Sequence, residues 1–352
     1  MSQVVAVARR LAGNPVARRL FLDRNIEFWL RAIDPSWSVR EPRARVIEVI
    51  VETADTRTFV LKPSAGWPGH RAGQHVTVEI EIDGVRARRC YSLSSAPGDR
   101  HPAITVKRAP GGRVSAWLHD HARFGTVLGL GPAQGDFVLP PAPGKLLLLS
   151  GGSGVTPVMS MLRDLAARHR IRDVVFATFA RTADDFIFRD ALEQLASRHA
   201  GLALHLGRGH LTEERLVALV PDLADRETFL CGPPGFMEAV EQTFARCGAG
   251  HRLRRERFVV PPPRRVAGEA RVTLARSGRA PVLPASATLL AGLEAAGERP
   301  PSGCRMGICG SCKTRKRSGT VENVLTGVIS SDADEDISLC VTSPRSDVEL
   351  AL

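Results

Sequence analysis

Apolar and polar positions keep a period of two from residue 43 to about residue 140. The segments VIEVIVET, TFVLKP, QHVTVEIEID, RARRCYSLSS and AITVKRA are short, alternating and rich in β-branched residues. That is the pattern of strands with one buried face. PSAGWPG, DG and APGDRHP separate them as turns, so the region predicts an antiparallel barrel or sandwich. One helical stretch, SAWLHDHARF, interrupts it before a last extended segment, DFVLP.

The rhythm changes at PPAPG, residues 140–144. KLLLLS, DVVFATFA, LALHLG and TFLCG are continuous apolar runs, as expected of strands covered on both faces. Each precedes a stretch of helical period: VMSMLRDLAARH, DFIFRDALEQLASRH, LTEERLVALV and FMEAVEQTFARC. Strand–helix alternation of this kind predicts a parallel, doubly wound α/β domain. A second change comes at VVPPPRRVAGE, where Pro261, Pro262 and Pro263 make a stiff spacer. Such a run extends roughly 3.1 Å per residue. The expected organisation is therefore an N-terminal extension over 1–42 with helical character, a barrel over 43–140 and an α/β domain over 141–258. A linker over 259–268 and a compact module over 269–352 complete it.

Composition narrows the function classes. The chain is 43% hydrophobic and 24% charged, which suits globular domains, and its net charge of +11 is carried mostly by arginine. No basic run is interleaved with aromatics and Tyr91 is the sole tyrosine, so nucleic-acid binding is not expected. Seven cysteines, four of them clustered late, do not form a secreted disulfide framework. MSQVVAVARRLAG is a poor signal peptide and Leu146 to Leu149 is too short to span a bilayer, so a cytoplasmic location is expected.

The late cysteines carry the clearest chemistry. Cys304-x4-Cys309-x2-Cys312, followed by Cys340 after twenty-seven residues, is the spacing in which four thiolates hold a 2Fe-2S cluster. Structural zinc is the competing metal, but no second C-x2-C and no histidine follow position 251. Gly303, Gly307 and Gly310 would let backbone amides approach the sulfurs.

Three upstream motifs are weak singly. RCYSLSS, from Arg89, reads as ordinary strand, yet its arginine could neutralise a pyrophosphate and Tyr91 could pack on a flat ring. GGRVSAWL sets Gly111, Gly112, Val114 and Ser115 at a turn opening a helix, whose free amides suit phosphate. SGGSGVTP keeps Gly152 and Gly154, but Pro157 stands where a third glycine would complete G-x-G-x-x-G. A proline at the first helical position there still suits a phosphate-compatible helix start. CGPPGF, from Cys231, could be a Gly-Pro turn with a buried thiol at the carboxyl end of a strand.

Taken together, R-x-Y-S, G-G-x-G-x-T-P, C-G-P-P-G-F, the barrel-closing PAQGDF and the cysteine spacing resemble the ferredoxin–NADP reductase superfamily with a C-terminal plant-type ferredoxin domain. The resemblance covers nearly everything from residue 43 onward. It implies a β-barrel FAD domain, an α/β NAD(P) domain and an α+β, β-grasp 2Fe-2S domain. FAD, with FMN as the alternative, would rest on Arg89, Tyr91, Ser92, Gly112, Val114 and Ser115. NAD(P)H would be held by Gly152, Gly154, Thr156, Arg181, Cys231, Gly232 and Pro233, with Ser92, Thr156 and Cys231 aligning hydride transfer. Arg181 in FARTADD favours NADPH over NADH, although Asp184 and Asp185 follow it. Cys304, Cys309, Cys312 and Cys340 would hold the cluster.

The implied path runs from NAD(P)H to FAD to 2Fe-2S to a protein acceptor. DPSW at 34–37 resembles actinobacterial reductases that serve acyl-CoA desaturases or alkane hydroxylases, which would bring peripheral membrane contact through the acceptor. Two other readings stay open: a reductase subunit of a soluble phenylacetyl-CoA epoxidase or aromatic-ring hydroxylase, and a redox sensor without turnover.

Overall fold

The alternating segments fold as six antiparallel strands: β1 (Arg43–Thr53), β2 (Thr56–Pro63), β3 (His75–Ile82), β4 (Val85–Ser92), β5 (Ala103–Lys107) and β6 (Val127–Leu130). The computed structural model describes residues 32–34, 36–37, 42–260, 263 and 267–352. The helix expected in the N-terminal extension therefore falls, up to residue 31, outside the described residues, as do Pro261 and Pro262. Spatial order is β4-β3-β6-β1-β2-β5, and a bridge between Leu93 and Ile104 joins the two edges into a barrel. Val46, Phe59, Leu61, Val76, Val78 and Ile104 fill it, and helix α1 (Arg113–His121) adds Val114 and Leu118 to that core.

The α/β region alternates β7 (Leu146–Gly151), α2 (Val155–Ala167), β8 (Val174–Ala180), α3 (Arg189–Arg198), β9 (Leu202–Arg208), α4 (Glu213–Leu219), β10 (Glu227–Cys231), α5 (Pro234–Arg246) and β11 (Leu253–Glu256). All five strands are parallel, in the order β11-β10-β7-β8-β9. Every residue of β7 and β8 is buried, which is why their sequences are unbroken apolar runs. β11, LRRE, has no such run because it is a half-exposed edge.

Two expectations need correction here. DFVLP forms no strand. Its apolar residues serve packing instead: the Phe137 ring meets Phe229 edge-on at 5.4 Å, and its carbonyl oxygen sits where a Cβ on Gly73 would be, 2.0 Å away. Pro157 is the third residue of α2 rather than the first, after a 3-10 turn over Gly152–Gly154. Its missing N–H still falls in the first helical turn, where no partner is needed.

The chain divides into two compact units, Met1–Arg257 and Phe258–Leu352. The second contains β12 (Glu269–Leu274), β13 (Val282–Pro284), α6 (Leu289–Ala295), β14 (Lys313–Ser318), β15 (Val321–Asn323), β16 (Ile329–Ser330), β17 (Glu335–Ser338), β18 (Thr342–Pro344) and β19 (Val348–Leu350). Its main sheet runs β13-β12-β19-β14-β17, with β12 and β19 parallel, and β16-β15-β18 form a small second sheet. Leu289, Leu290 and Leu293 pack α6 into the core, and the Thr288 hydroxyl caps its first turn at Ala291 N–H. Lys316 is wholly buried, yet its ammonium reaches Glu335 at 2.7 Å and donates to the Gly319 and Ser330 carbonyls. A buried charge satisfied in this way is tolerated. Cys340 lies in a 3-10 turn, Leu339–Val341, immediately before β18. The turn swings its sulfur toward the cysteine loop, where Gly307 N–H reaches it.

Candidate functional site

β4 delivers RCYS to the rim of the barrel, and its pleat sorts those side chains. Cross-strand partners share a face, so Arg89 and Tyr91 go with Val78 and Val76, whereas Cys90 and Ser92 go with Thr77 and His75. Tyr91 packs on the barrel core, and burial pushes its phenol well above the ordinary range. It is therefore a neutral aromatic surface. Gly111 takes φ +66, and Gly112 caps α1 at a point where an added Cβ would lie 2.5 Å from the Ser115 hydroxyl oxygen. That hydroxyl accepts from Ala109 N–H at 3.1 Å and donates to the Gly112 carbonyl, so Ser115 ties the loop. Val114 anchors the same turn in the core. A cleft of about 540 Å³ opens there between Asp55, Arg108, Gly111, Gly112, Arg113 and Ala116. Bare backbone and arginines lining a cleft at a helix start fit a pyrophosphate.

The second half of the site assembles at the carboxyl ends of the parallel strands. Gly154 packs against the CGPP turn so closely that an added Cβ would lie 2.2 Å from the Cys231 carbonyl oxygen and 2.7 Å from Gly232 N. Gly152 sits at φ +52 with open space beside it, which leaves room for a ligand. Thr156 is buried and donates to the Ser153 carbonyl at 3.0 Å. Pro233 is the N-cap of α5. The Cys231 thiol is fully buried, and burial together with Glu256 pushes it well above its ordinary range. A thiol held up in this way is a poor nucleophile.

Arg181 follows β8, is 81% exposed and lies 3.9 Å from Asp185. Register places Ala180 beside Arg208 on β9, and Arg215 donates to the Arg208 and His210 carbonyls while stacking 5.0 Å over Phe179. The strand ends therefore gather three arginines, of which Arg215 carries no sequence motif.

Helix α2 fastens the two halves together. Ser160 donates to the Ser95 carbonyl and Arg163 to the Ser94 carbonyl, each at 2.6 Å, directly after the RCYS strand. Arg163 is half-buried, its guanidinium pushed below the usual range by desolvation, and it stacks over Phe188 at 5.0 Å.

Glu256 is the residue sequence reasoning missed. Parallel register aligns it with Cys231 on β10, and Cys231 in turn with Ser150 on β7. Its carboxylate accepts from the Ser92 hydroxyl at 3.4 Å and lies 3.6 Å from His75 Nδ1. Nothing in LRRERF distinguishes it, since its partners are up to 164 residues away.

The four late thiols gather in the second unit as two pairs. Cys309 Sγ accepts from Cys304 N–H at 3.1 Å, and Cys304 Sγ accepts from Met306 and Cys309 N–H. Cys312 and Cys340 have sulfurs 3.2 Å apart, and Gly307 N–H donates to Cys340. Sharing a proton drops the Cys312 thiol to about 6 and lifts Cys340. Among the described residues no three His, Cys, Asp or Glu side chains converge as a single-ion site. Four sulfurs arranged two by two, ringed by inward amides, fit a two-iron cluster.

Comparison with known proteins gives the same parts. Residues 43–138 match an oxidoreductase FAD-binding domain, 148–242 an oxidoreductase NAD-binding domain and 272–345 a 2Fe-2S iron–sulfur cluster binding domain. An NADPH oxidoreductase of Mycobacterium tuberculosis is 38% identical over 92% of this chain and 87% of its own length. The glycine betaine monooxygenase reductase subunit of Pseudomonas aeruginosa is 36% identical over 89% and 96%. Among solved structures, phthalate dioxygenase reductase, described as a modular structure for electron transfer from pyridine nucleotides to [2Fe-2S], superposes with a TM-score of 0.61 at 26% identity, covering 88% of this chain and 97% of that one.

Proposed function

Because this chain belongs to the ferredoxin–NADP reductase superfamily, with FAD, NAD and C-terminal 2Fe-2S domains, we propose that it passes electrons from NADPH to an oxygenase-type protein acceptor. The observation that carries this is the convergence of Ser92, Gly154, Thr156 and Cys231 in one unit, with four paired thiols in the other. FAD accepts two electrons as hydride and releases them singly, and a 2Fe-2S cluster carries one at a time.

On this reading Arg89 and the Gly111–Gly112 turn neutralise the flavin pyrophosphate, and Tyr91 packs on the flavin. Thr156, Cys231, Gly232 and Pro233 wall the nicotinamide pocket, and Arg181 holds the 2′-phosphate of NADPH. Cys304 and Cys309 hold one iron, Cys312 and Cys340 the other. Domain limits of 43–140, 141–258 and 269–352 belong to the same proposal.

For the acceptor we favour a fatty acyl-CoA desaturase or alkane hydroxylase. The support is the resemblance carried by DPSW, of which Asp34 accepts from Ser36 N–H and Oγ at 2.8 and 2.7 Å and from Arg45 on β1 at 2.6 Å. Among the described residues no helix is long and apolar enough to cross a membrane. On this reading the acceptor brings the membrane contact. A reductase subunit of a soluble phenylacetyl-CoA epoxidase or aromatic-ring hydroxylase is the second reading, and relatives named as glycine betaine monooxygenase reductase subunits favour an oxygenase of that kind. Reconstitution decides between them. The holoprotein with NADPH should drive a membrane desaturase in vesicles faster than a soluble ring hydroxylase. The opposite order selects the second reading. Negligible NADPH-dependent reduction of cytochrome c by fully loaded protein would overturn both and return the redox-sensor reading.

A further inference from the structure

A second cavity, of about 180 Å³, lies in the first unit where the barrel, the segment 138–143 and the C-terminal part of α2 meet. Pro97, Pro140, Pro141 and Pro143 line it together with Leu139 and Leu165. Proline has no N–H, so this wall is stiff and apolar and offers few donors. The charged lining is lopsided: Arg71, Arg168 and Arg170 stand against the single carboxylate of Asp164. That carboxylate takes Arg168 Nε at 2.8 Å, and Arg170 gives one bond to the Pro141 carbonyl. The Arg71 guanidinium has no partner among the described residues; only its backbone N–H is engaged, by Gln74. A guanidinium carries five N–H donors, so most of those around the cavity are unused. His70 adds no charge: its Nε2 donates to the Ser95 carbonyl at 3.3 Å, and burial pushes its imidazole below the usual range.

We propose that this cavity binds a small monocarboxylate with an apolar body, its carboxylate on Arg71, Arg168 and Arg170 and its body against the prolines, and that the occupant ties the segment 138–143 to α2. Size sets the scale. The cavity equals the liquid volume of about six waters and falls below the roughly 300–1,000 Å³ of drug-sized pockets. It therefore suits a molecule on the order of ten non-hydrogen atoms. Charge sets the sign, because three guanidinium groups and one carboxylate leave an excess of positive charge. Shape selects carboxylate over phosphate. A planar carboxylate meets the guanidinium fork with two parallel bonds and leaves the rest of the molecule free to be apolar. Inorganic phosphate would set oxygens against the proline wall, where they find few donors. The site is separate from the nucleotide loop. Thr156 and Asp164 are eight residues apart on α2, roughly 12 Å along the helix, so an occupant leaves the Gly152–Gly154 turn open. It would nevertheless bear on the helix that Ser160 and Arg163 fasten to the barrel.

Benzoate and the holoprotein provide the test. Equilibrium dialysis at fixed ionic strength should show one equivalent bound with Kd of about 1 mM or below. At ten times Kd the melting temperature should rise by about 2–4 °C. Benzyl alcohol keeps the ring without the charge, and inorganic phosphate keeps the charge without the ring. Each should bind at least about tenfold more weakly, since each lacks one of the two contacts; parity of either with benzoate overturns the proposal. Saturating NADP+ should leave benzoate bound, and displacement would place it on the arginines of the strand ends instead. Arg71→Ala and Arg168→Ala remove exposed side chains, so the fold should survive, and each should weaken benzoate by about tenfold. Wild-type affinity in both variants overturns the site. A further measurement needs no variant. Hydrogen exchange at the Leu139 and Ala142 amides, which lie between the prolines, should slow by about fivefold or more at ten times Kd. Unchanged exchange with benzoate bound overturns the tie to α2, and the absence of saturable benzoate binding overturns the whole.

Discussion

Gly154→Ala is the sharpest probe of how the nucleotide loop meets the CGPP turn. The backbone at Gly154 is helical, φ −63, so alanine meets no conformational penalty there. The obstacle is space alone. The new methyl would lie 2.2 Å from the Cys231 carbonyl oxygen, 2.4 Å from its carbon and 2.7 Å from Gly232 N. Those atoms are backbone and cannot rotate away, so the two strand ends must separate by about 1 Å to reach ordinary contact. Overpacking of this kind destabilises by about 1–3 kcal/mol, which lowers the melting temperature without unfolding the protein. The effect on chemistry should be larger, because a misplacement of about 1 Å in an aligned reaction costs about a hundredfold. Anaerobic stopped-flow mixing with NADPH, followed by flavin bleaching, reads that step directly. Gly152→Ala is the contrast: its position is unfilled but left-handed, and alanine there costs about 1–2 kcal/mol of backbone strain with no intrusion on Cys231. Gly154→Ala reducing its flavin at the wild-type rate would refute the contact reasoning outright.

Three further outcomes are expected. Cys304→Ser should lose the visible absorption of the cluster and cut cytochrome c reduction by about tenfold or more while NADPH still bleaches the flavin, since the two chemistries belong to different cofactors. Loss of bleaching in a folded variant would break the modular path. Arg181→Ala should raise KM for NADPH by about tenfold, the scale of one charge-assisted contact, and leave NADH unchanged; equal effects on both nucleotides would remove Arg181 from the phosphate site. Arg226, with Lys145 assisting and burial opposing, holds the Asp222 carboxyl down at about 2. A depressed carboxylate stabilises fully above its ordinary value of about 3.9, and that contribution fades as pH falls toward 2. Urea midpoints measured from pH 5 to pH 2 should therefore drop in wild type and drop less steeply in Arg226→Met.

What could be read from the sequence followed from how local each signal is. Three cluster thiols lie within one loop, so spacing alone identifies their chemistry. The apolar runs of β7 and β8 follow from burial on both faces. DFVLP had the right composition for a strand, but its backbone pairs with no strand and its phenylalanine packs on Phe229. The 3-10 turn at Cys340 answers to the position of the other sulfurs, which periodicity does not encode. Glu256 and His75 were silent for a different reason. One sits on an edge strand without alternation, the other begins a regular one, and their meeting exists only once β4 pairs with β3 and β11 with β10.

The two bonds from α2 to the Ser94 and Ser95 carbonyls have a consequence for how such a chain can be altered over time. They bolt the loop that would present the hydride donor to the strand that would hold its acceptor, within a few residues of both. Ångström-level tolerances are thereby confined to Met1–Arg257. A single electron leaving that frame needs proximity but no such alignment, so Phe258–Leu352 is free to vary in sequence and surface, or to be exchanged for another redox module. Lineages can change the customer without rebuilding the engine.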